Sequence, residues 1–321
     1  MNARLRNRPF IRHFHTQHLV STRCFAALGL VVLACGCTPT QVQPRVVAEF
    51  PGYSEGIVFD AEGVAFASVL EHKSVFVIRE EGLPAVWHST IEPNGHKVLP
   101  DGTHLLAARG GVRHVDANGT LIKVLTPQIA TPNDLALDGD GGVYITAPAE
   151  SRDDRDAMRS GVYYLDSART VRQVAEEFCY PNGIAVRADG KSLVVNDSCN
   201  RRVYEYTISS PGVLADRRVL AELPNPKSVP DGMTFDRAGR LYMADYGAGV
   251  IVVFDPSGQI LRMYPTGLEH PSNVAFGGED RTDLYVTGSP GGQSGAGQLV
   301  VLPLGIPGRS GLGLPASVRA R

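Results

Sequence analysis

Six side chains that carry an oxygen recur along the 321-residue chain at nearly even intervals. They are Glu55, Asn94, Asn133, Asn182, Asp231 and Asn273, separated by 39, 39, 49, 49 and 42 residues. Each opens a similar segment, such as EGIVFDAEGVAFA from Glu55, NGIAVRADGKSLVV from Asn182 and NVAFGGEDRTDLYVT from Asn273. Taken singly, an Asn-Gly or Asp-Gly pair is a common hairpin turn. Here Asp101-Gly102, Asp189-Gly190 and Ala238-Gly239 already supply turns inside the segments, which leaves the registered set at the opposite strand ends. Oxygen groups converging from such positions, two of them carboxylates, suit a hard divalent cation such as Ca²⁺ or Mg²⁺. No cysteine or histidine cluster shares the register, so a soft metal is not indicated.

The elements that must position these residues are short strands. With 35 glycines and 22 prolines, the chain is punctuated too densely for a helical protein, and the runs between are rich in Val, Ile, Leu, Tyr and Phe. Each segment holds an apolar strand, an acidic or glycine turn and a second strand; most continue into a third and fourth, as in Gly161 to Asp166 or Val250 to Asp255. Six repeats of four strands at a period near forty residues predict an all-β, six-bladed β-propeller over residues 45–305. A linear stack would need polar capping repeats at both ends, and neither end provides one. In a propeller the first strand of each blade lines the axis, so the six oxygen-bearing residues meet at one mouth of the channel. The stretch Arg45 to Phe50 is a spare strand, expected to complete the last blade and close the ring. Residues 306–321, rich in Gly and Pro, are expected to form a flexible tail.

Residues 1–36 stand apart, with five arginines (Arg4, Arg6, Arg8, Arg12, Arg23) and no acid, followed by the apolar run Phe25 to Ala34. That is too short to span a bilayer and the right length for a secretory signal. The run ends in Leu33-Ala34-Cys35-Gly36-Cys37, which looks like a lipobox, with Cys37 or Cys35 as the acylated residue and 37–44 as a linker. An exported lipoprotein facing the periplasm or cell surface follows, touching membrane only through its lipid anchor; an ordinary cleaved signal is the alternative. Removing those five arginines from 31 basic residues leaves 26 against 33 acidic ones, which excludes nucleic acid as a partner. A small-molecule substrate and a monomeric state are expected. Cys179 and Cys199 flank the hairpin around Asp189-Gly190; an oxidising compartment would pair them, and two buried thiols are the alternative.

The strings SEGIVFD at Ser54, TPNDLALDGDGGVYIT at Thr131, YPNGIAVRADGKSLVVND at Tyr180, VPDGMTFDRAGRLYMA at Val229 and SNVAFGGEDRTDLYVTGS at Ser272 carry a resemblance. From Gly52 to Leu304 the chain resembles the senescence marker protein (regucalcin) and gluconolactonase family. The resemblance implies the same six-bladed fold, and metal ligands at Glu55, Asn182 and Asp231, with Asn133 as fourth ligand or substrate contact. It implies hydrolysis of a sugar lactone or related cyclic ester, a metal polarising the carbonyl and Asp231 acting as general base through its second oxygen. Ca²⁺ is the first expectation, with Mg²⁺, Zn²⁺ or Mn²⁺ able to occupy such a site. Asn94 and Glu150 would contact substrate, although Glu150 also reads as a solvated loop charge beside Arg152, Asp153 and Asp154. The chain departs from the family at Thr131, where an arginine is frequent, at Ile57 and Phe59 in the first motif, and at Thr146-Ala147-Pro148. A histidine base is a second mechanism, with His72, His96, His104, His114 and His270 as candidates; strand alternation would put His96 on the same side as Asn94, facing the channel. Two other functions fit the same fold. One is a non-catalytic sugar- or protein-binding propeller, which would have no need of Glu55, Asn182 and Asp231 together; the other is an organophosphate or aryl-ester hydrolase on the same site.

Overall fold

The computed structural model describes residues 42–79, 83–148, 160–278, 280–291 and 295–309. The candidate lipidation residues Cys35 and Cys37, and Glu150, lie outside them. Every regular element among the described residues is a β-strand, and the strands form six four-stranded antiparallel sheets, here blades 1 to 6 in chain order. The inner strands are Ser54–Phe59, Pro93–Val98, Leu135–Leu137, Pro181–Val186, Pro230–Phe235 and His270–Gly277. Each touches the inner strand of the next blade, and that of blade 6 touches that of blade 1, so the sheets form a closed ring.

Six apolar clusters fill the six seams between blades. Between blades 1 and 2, for example, Val58, Phe66 and Val75 meet Val98, Leu106 and Val115; between blades 5 and 6, Tyr242, Ile251 and Val253 meet Phe276, Leu284 and Val286. A middle strand packs on both faces, which is why Ser74–Ile78 is buried throughout and reads as an unbroken apolar run. Outer strands such as Val171–Ala175 keep charged residues in water.

Blade 6 takes three strands from the end of the repeat array and its fourth from the beginning. Arg45–Phe50 pairs antiparallel with Gly297–Leu302, from Arg45 opposite Val301 to Phe50 opposite Gly297, with a bulge between Val46 and Ala48. The spare strand therefore closes the ring as the sequence indicates. Of the expected tail, 306–321, only residues 306–309 are described. Residues 306–309 are not frayed: Ile306 N–H donates to Thr282, Gly308 N–H to Arg281 and Arg309 N–H to Phe235, and Gly308 bridges Asp236. The Gly-Pro composition that suggested fraying instead lets this segment cross from blade 6 to blade 5 in a bent path.

One irregularity decides what faces the axis. In blades 1, 2, 4, 5 and 6 the pairing of inner and second strands shifts register between the strand-start region and the third residue on: Glu55/Val58, Pro93/His96, Pro181/Ile184, Pro230/Met233 and Pro271/Val274. A bulge adds twist and re-aims side chains. It frees the strand-start residue from simple up-and-down alternation.

Candidate metal centre

Two glycines let the strand starts come together. Gly56 has φ +43°, and a Cβ there would stand 2.0 Å from the Asn94 carbonyl oxygen; a Cβ on Gly183 would stand 2.3 Å from the Asp231 carbonyl oxygen. The Glu-Gly and Asn-Gly pairs are thus close-approach devices between neighbouring inner strands, with the true turns at the other strand ends. Side chains of the second strands then clasp the carbonyls of the next blade's strand starts: Ser68 Oγ donates to Asn94 O (2.7 Å), Thr146 Oγ1 to Asn182 O (2.6 Å) and Asn196 Nδ2 to Asp231 O (2.5 Å).

Glu55 and Asp231 are 5% and 6% exposed. Burial, then the nearby Asp231 charge and more weakly Asp134, push the Glu55 carboxyl well above the usual carboxylate range. Gly56 N–H reaches Glu55 Oε2 at 3.3 Å, and the Asn273 amide also bonds the Glu55 carboxylate. Asn273 Oδ1 accepts Val274 N–H (2.9 Å), and Asn273 orients Glu55. Asn182 donates its Nδ2 to Ser198 Oγ (3.3 Å), which turns its carbonyl oxygen the other way. Asn133 Oδ1 is buried with no hydrogen-bond partner. Asn94 is half-buried, its carbonyl held by Ser68.

Two acids in mutual repulsion, an orphaned amide oxygen and a second amide held with its oxygen outward suit a hard divalent cation. Glu55, Asn133, Asn182 and Asp231 fit such an ion. A second cluster, Cys179, Asp197 and Cys199, has ligand atoms within 4.8 Å, but its sulfurs form a disulfide (Cα–Cα 5.8 Å) and are not thiolates. The structure pairs the two cysteines. Asp197 is engaged by the N–H groups of Cys179 and Tyr180 and by Asn200 Nδ2, pinning the loop that leads into Asn182.

The structure adds residues that the repeat register did not single out. Asp134 stands where four of the repeats have glycine; it pairs with Lys97 Nζ (3.2 Å) and accepts Leu135 N–H (2.7 Å). The clasping Ser68, Thr146 and Asn196 share one place in the second strands, visible once FAS, YIT and VVN are aligned, and Ser198 follows just after its strand. Tyr53 also belongs to the mouth. Burial, then the charges of Glu55 and Asp231, raise its phenol pKa well above 10. Its ring lies edge-on to Tyr246 (6.2 Å between centroids), on which His270 stacks (4.4 Å).

The histidine expectation is corrected. His96 does not face the channel: it is 1% exposed in the seam between blades 1 and 2, against Phe66 and Trp87, with Nε2 2.8 Å from His104 Nδ1. The bulge between Pro93 and His96 breaks the alternation on which that reading rested. His72 bonds Ser74 and His114 bonds Thr103, both away from the carboxylates, whereas His270 stands beside the mouth through Tyr246.

Fold and site together define a class, and the sequence agrees with it. The chain belongs to the SMP-30/Gluconolactonase/LRE-like family, whose matching region spans residues 53–289. It is 30% identical over 276 residues to diisopropyl-fluorophosphatase of Loligo vulgaris, covering 76% of this chain and 87% of that one. A gluconolactonase structure from Xanthomonas campestris superposes with a TM-score of 0.69 at 26% identity, covering 83% and 90% of the two chains. Regucalcin from Agrobacterium tumefaciens, a calcium-binding protein, superposes with a TM-score of 0.74 at 21% identity, covering 84% and 96%; that likeness speaks to the fold.

Proposed function

We propose that this protein is a metal-dependent lactonase whose substrate carbonyl sits at the axial mouth bearing Glu55, Asn133, Asn182 and Asp231. The observation that carries the reading is the buried, mutually repelling Glu55 and Asp231 pair, together with a buried Asn133 oxygen that has no hydrogen-bond partner. Hydrolase relatives in the same family support it: a gluconolactonase among the structures and a fluorophosphatase among the sequences. A divalent cation held by those four residues, Ca²⁺ first, would polarise the carbonyl oxygen and make water a stronger nucleophile.

The chain's own residues do the remainder. Asn273 and Gly56 fix the Glu55 carboxylate, and Ser198 fixes the Asn182 amide, so the oxygens are set before substrate arrives. Asp231 takes the proton from the water that attacks the carbonyl carbon. As the ring C–O bond breaks, the same carboxyl returns that proton to the departing ring oxygen, and an open-chain hydroxy acid leaves. Tyr53 and Tyr246 wall the mouth on one side, with Asn94 and Asn133 as polar contacts for the substrate. The fluorophosphatase relative favours a second reading, a phosphorus ester in place of the lactone, bound by the same residues.

A panel of sugar lactones, aliphatic lactones, aryl esters and organophosphates, assayed before and after chelation and with Ca²⁺, Mg²⁺, Zn²⁺ or Mn²⁺ restored, tests both readings. Activity on any of them that survives chelation and Asp231→Asn would overturn this proposal. We infer in addition that the protein is exported and acylated at Cys37 or Cys35. Palmitate labelling of the C37S and C35S variants distinguishes the two, and label retained in both excludes lipidation there.

A further inference from the structure

Blade 6 lies between the two blades that carry the carboxylates, Glu55 of blade 1 and Asp231 of blade 5, and it supplies no member of the proposed ligand set. Tyr53 fills that sector of the mouth. It stands just before the inner strand of blade 1, and its ring extends over blade 6: the phenol hydroxyl bonds Ser272 on the blade 6 inner strand, and the ring edge meets Tyr246, just past the second strand of blade 5. Its backbone is pinned from the other side. Tyr53 N–H donates to Glu71 Oε2 (2.7 Å), and Tyr53 O accepts Leu70 N–H (3.0 Å). Behind the phenol, Ser272 Oγ is fully buried, 2.7 Å from Ser54 O and 3.0 Å from Thr287 Oγ1. Tyr53 keeps part of its surface open to solvent and lies in the field of both carboxylates, Glu55 more strongly than Asp231.

A hydroxyl donates one hydrogen and accepts on two lone pairs, and its hydrogen rotates to suit its partners. Thr287, Ser272 and Tyr53 can therefore donate in sequence toward the mouth, which leaves the phenol hydrogen for a substrate; such chains strengthen the terminal donor. A lactone needs a donor beside its ring oxygen, because negative charge grows there as the C–O bond lengthens and before the proton arrives. We propose, resting on the lactonase reading above, that Tyr53 is a catalytic hydrogen-bond donor to the ring oxygen, and that it fits the mouth to lactones whose leaving group is an aliphatic alkoxide. Tyr53 gives up no proton in this step. The C–O bonding pair stays with the ring oxygen, and Asp231 returns to it the proton taken from water. A phenol ionises at about pH 10 and an alcohol far above it, so a phenoxide leaves with much less need of such a donor.

The test compares the full-length protein with its Tyr53→Phe variant, both saturated with Ca²⁺, on two lactones of the same ring size. One is δ-valerolactone, which expels an alkoxide; the other is dihydrocoumarin, which expels a phenoxide. Tyr53→Phe should lower kcat on δ-valerolactone about tenfold or more, as expected for loss of one hydrogen bond to a charged oxygen, and on dihydrocoumarin about threefold or less. KM on δ-valerolactone should change little. Because the ring and its contact with Tyr246 remain, the Ca²⁺ affinity measured by calorimetric titration should match that of the unaltered protein. An equal loss on both lactones, as a packing role would give, no loss on δ-valerolactone, or weakened Ca²⁺ binding overturns this role for Tyr53 and leaves the lactonase reading standing. Unaltered protein that opens neither lactone overturns both.

Discussion

The two ends of the axial channel are built from the same six inner strands and carry opposite charge. At the end where the strands begin stand Glu55, Asp231 and a set of amide oxygens; at the other stand Lys97, Arg281 and Arg309. The acidic end uses residues that occupy one place in every repeat. The basic end draws Arg281 from the blade 6 turn, at the place where the other five repeats have Gly63, Gly102, Gly141, Gly190 and Gly239, and Arg309 from the segment after the last strand. A ring of near-identical units multiplies whatever stands at a shared position, which suits a coordination shell. An added charge of a different kind has to come from where the units differ.

The comparison breaks most visibly at Asp231. Asp231→Asn should lower hydrolysis by about a thousandfold or more, as expected when a general base is lost at a metal-assisted site. A drop of only a few-fold would move the chemistry elsewhere. Acid supplies a control belonging to neither end. Burial keeps His104 neutral with its pKa lowered to about 4, and lowers that of His96 well below the usual imidazole range, so between pH 6.5 and 4 the unfolded chain binds protons that the fold refuses. Stability should therefore fall as pH drops through that window, by about 2–3 kcal/mol for His104. His104→Leu should flatten the dependence in urea titrations at pH 7 and pH 4.5.

Reduction of Cys179–Cys199 should cost about 3 kcal/mol of stability, given the twenty-residue separation. It should also loosen the loop before Asn182, weakening metal binding and leaving the arginine end as it was. The smallest effect is expected of Ser198→Ala. Ser198 Oγ also bonds Pro230 O at 2.6 Å, so its loss frees both Asn182 and the residue before Asp231. Removing such a supporting contact usually weakens metal binding 10–100-fold; calorimetric titration with Ca²⁺ measures it, and an unchanged affinity would show that Asn182 needs no such orientation.

Much of this was legible in the sequence, because a propeller writes its geometry as a period. Equivalent positions in six segments located the blades and the closing strand, and they named the strand-start residues from which the acidic end is proposed. The supporting shell was harder to see. Asp134 breaks a Glu-Gly or Asn-Gly pattern that otherwise looks like turns, and its importance emerges only when the glycines prove to be close approaches. Ser198, Thr146 and Asn196 act on the following blade, a contact no single segment contains. His96 was misplaced because a bulge is a tertiary accommodation, and strict alternation cannot anticipate it. Arg309 lay in a stretch whose composition suggests a loose end, whereas its backbone is hydrogen-bonded across two blades.

The strand that completes blade 6 has a temporal consequence. Arg45–Phe50 is synthesised before every other described strand, and its partner Gly297–Leu302 after them. Until that partner emerges, the opening strand has unsatisfied backbone groups on show, and pairing so distant in sequence is slow because of loop-closure entropy. The ring can shut only once Gly297–Leu302 has been synthesised, so a nascent chain remains threadable while all the preceding strands are made. Truncation upstream of Gly297 would leave two adhesive edges in place of a finished circle.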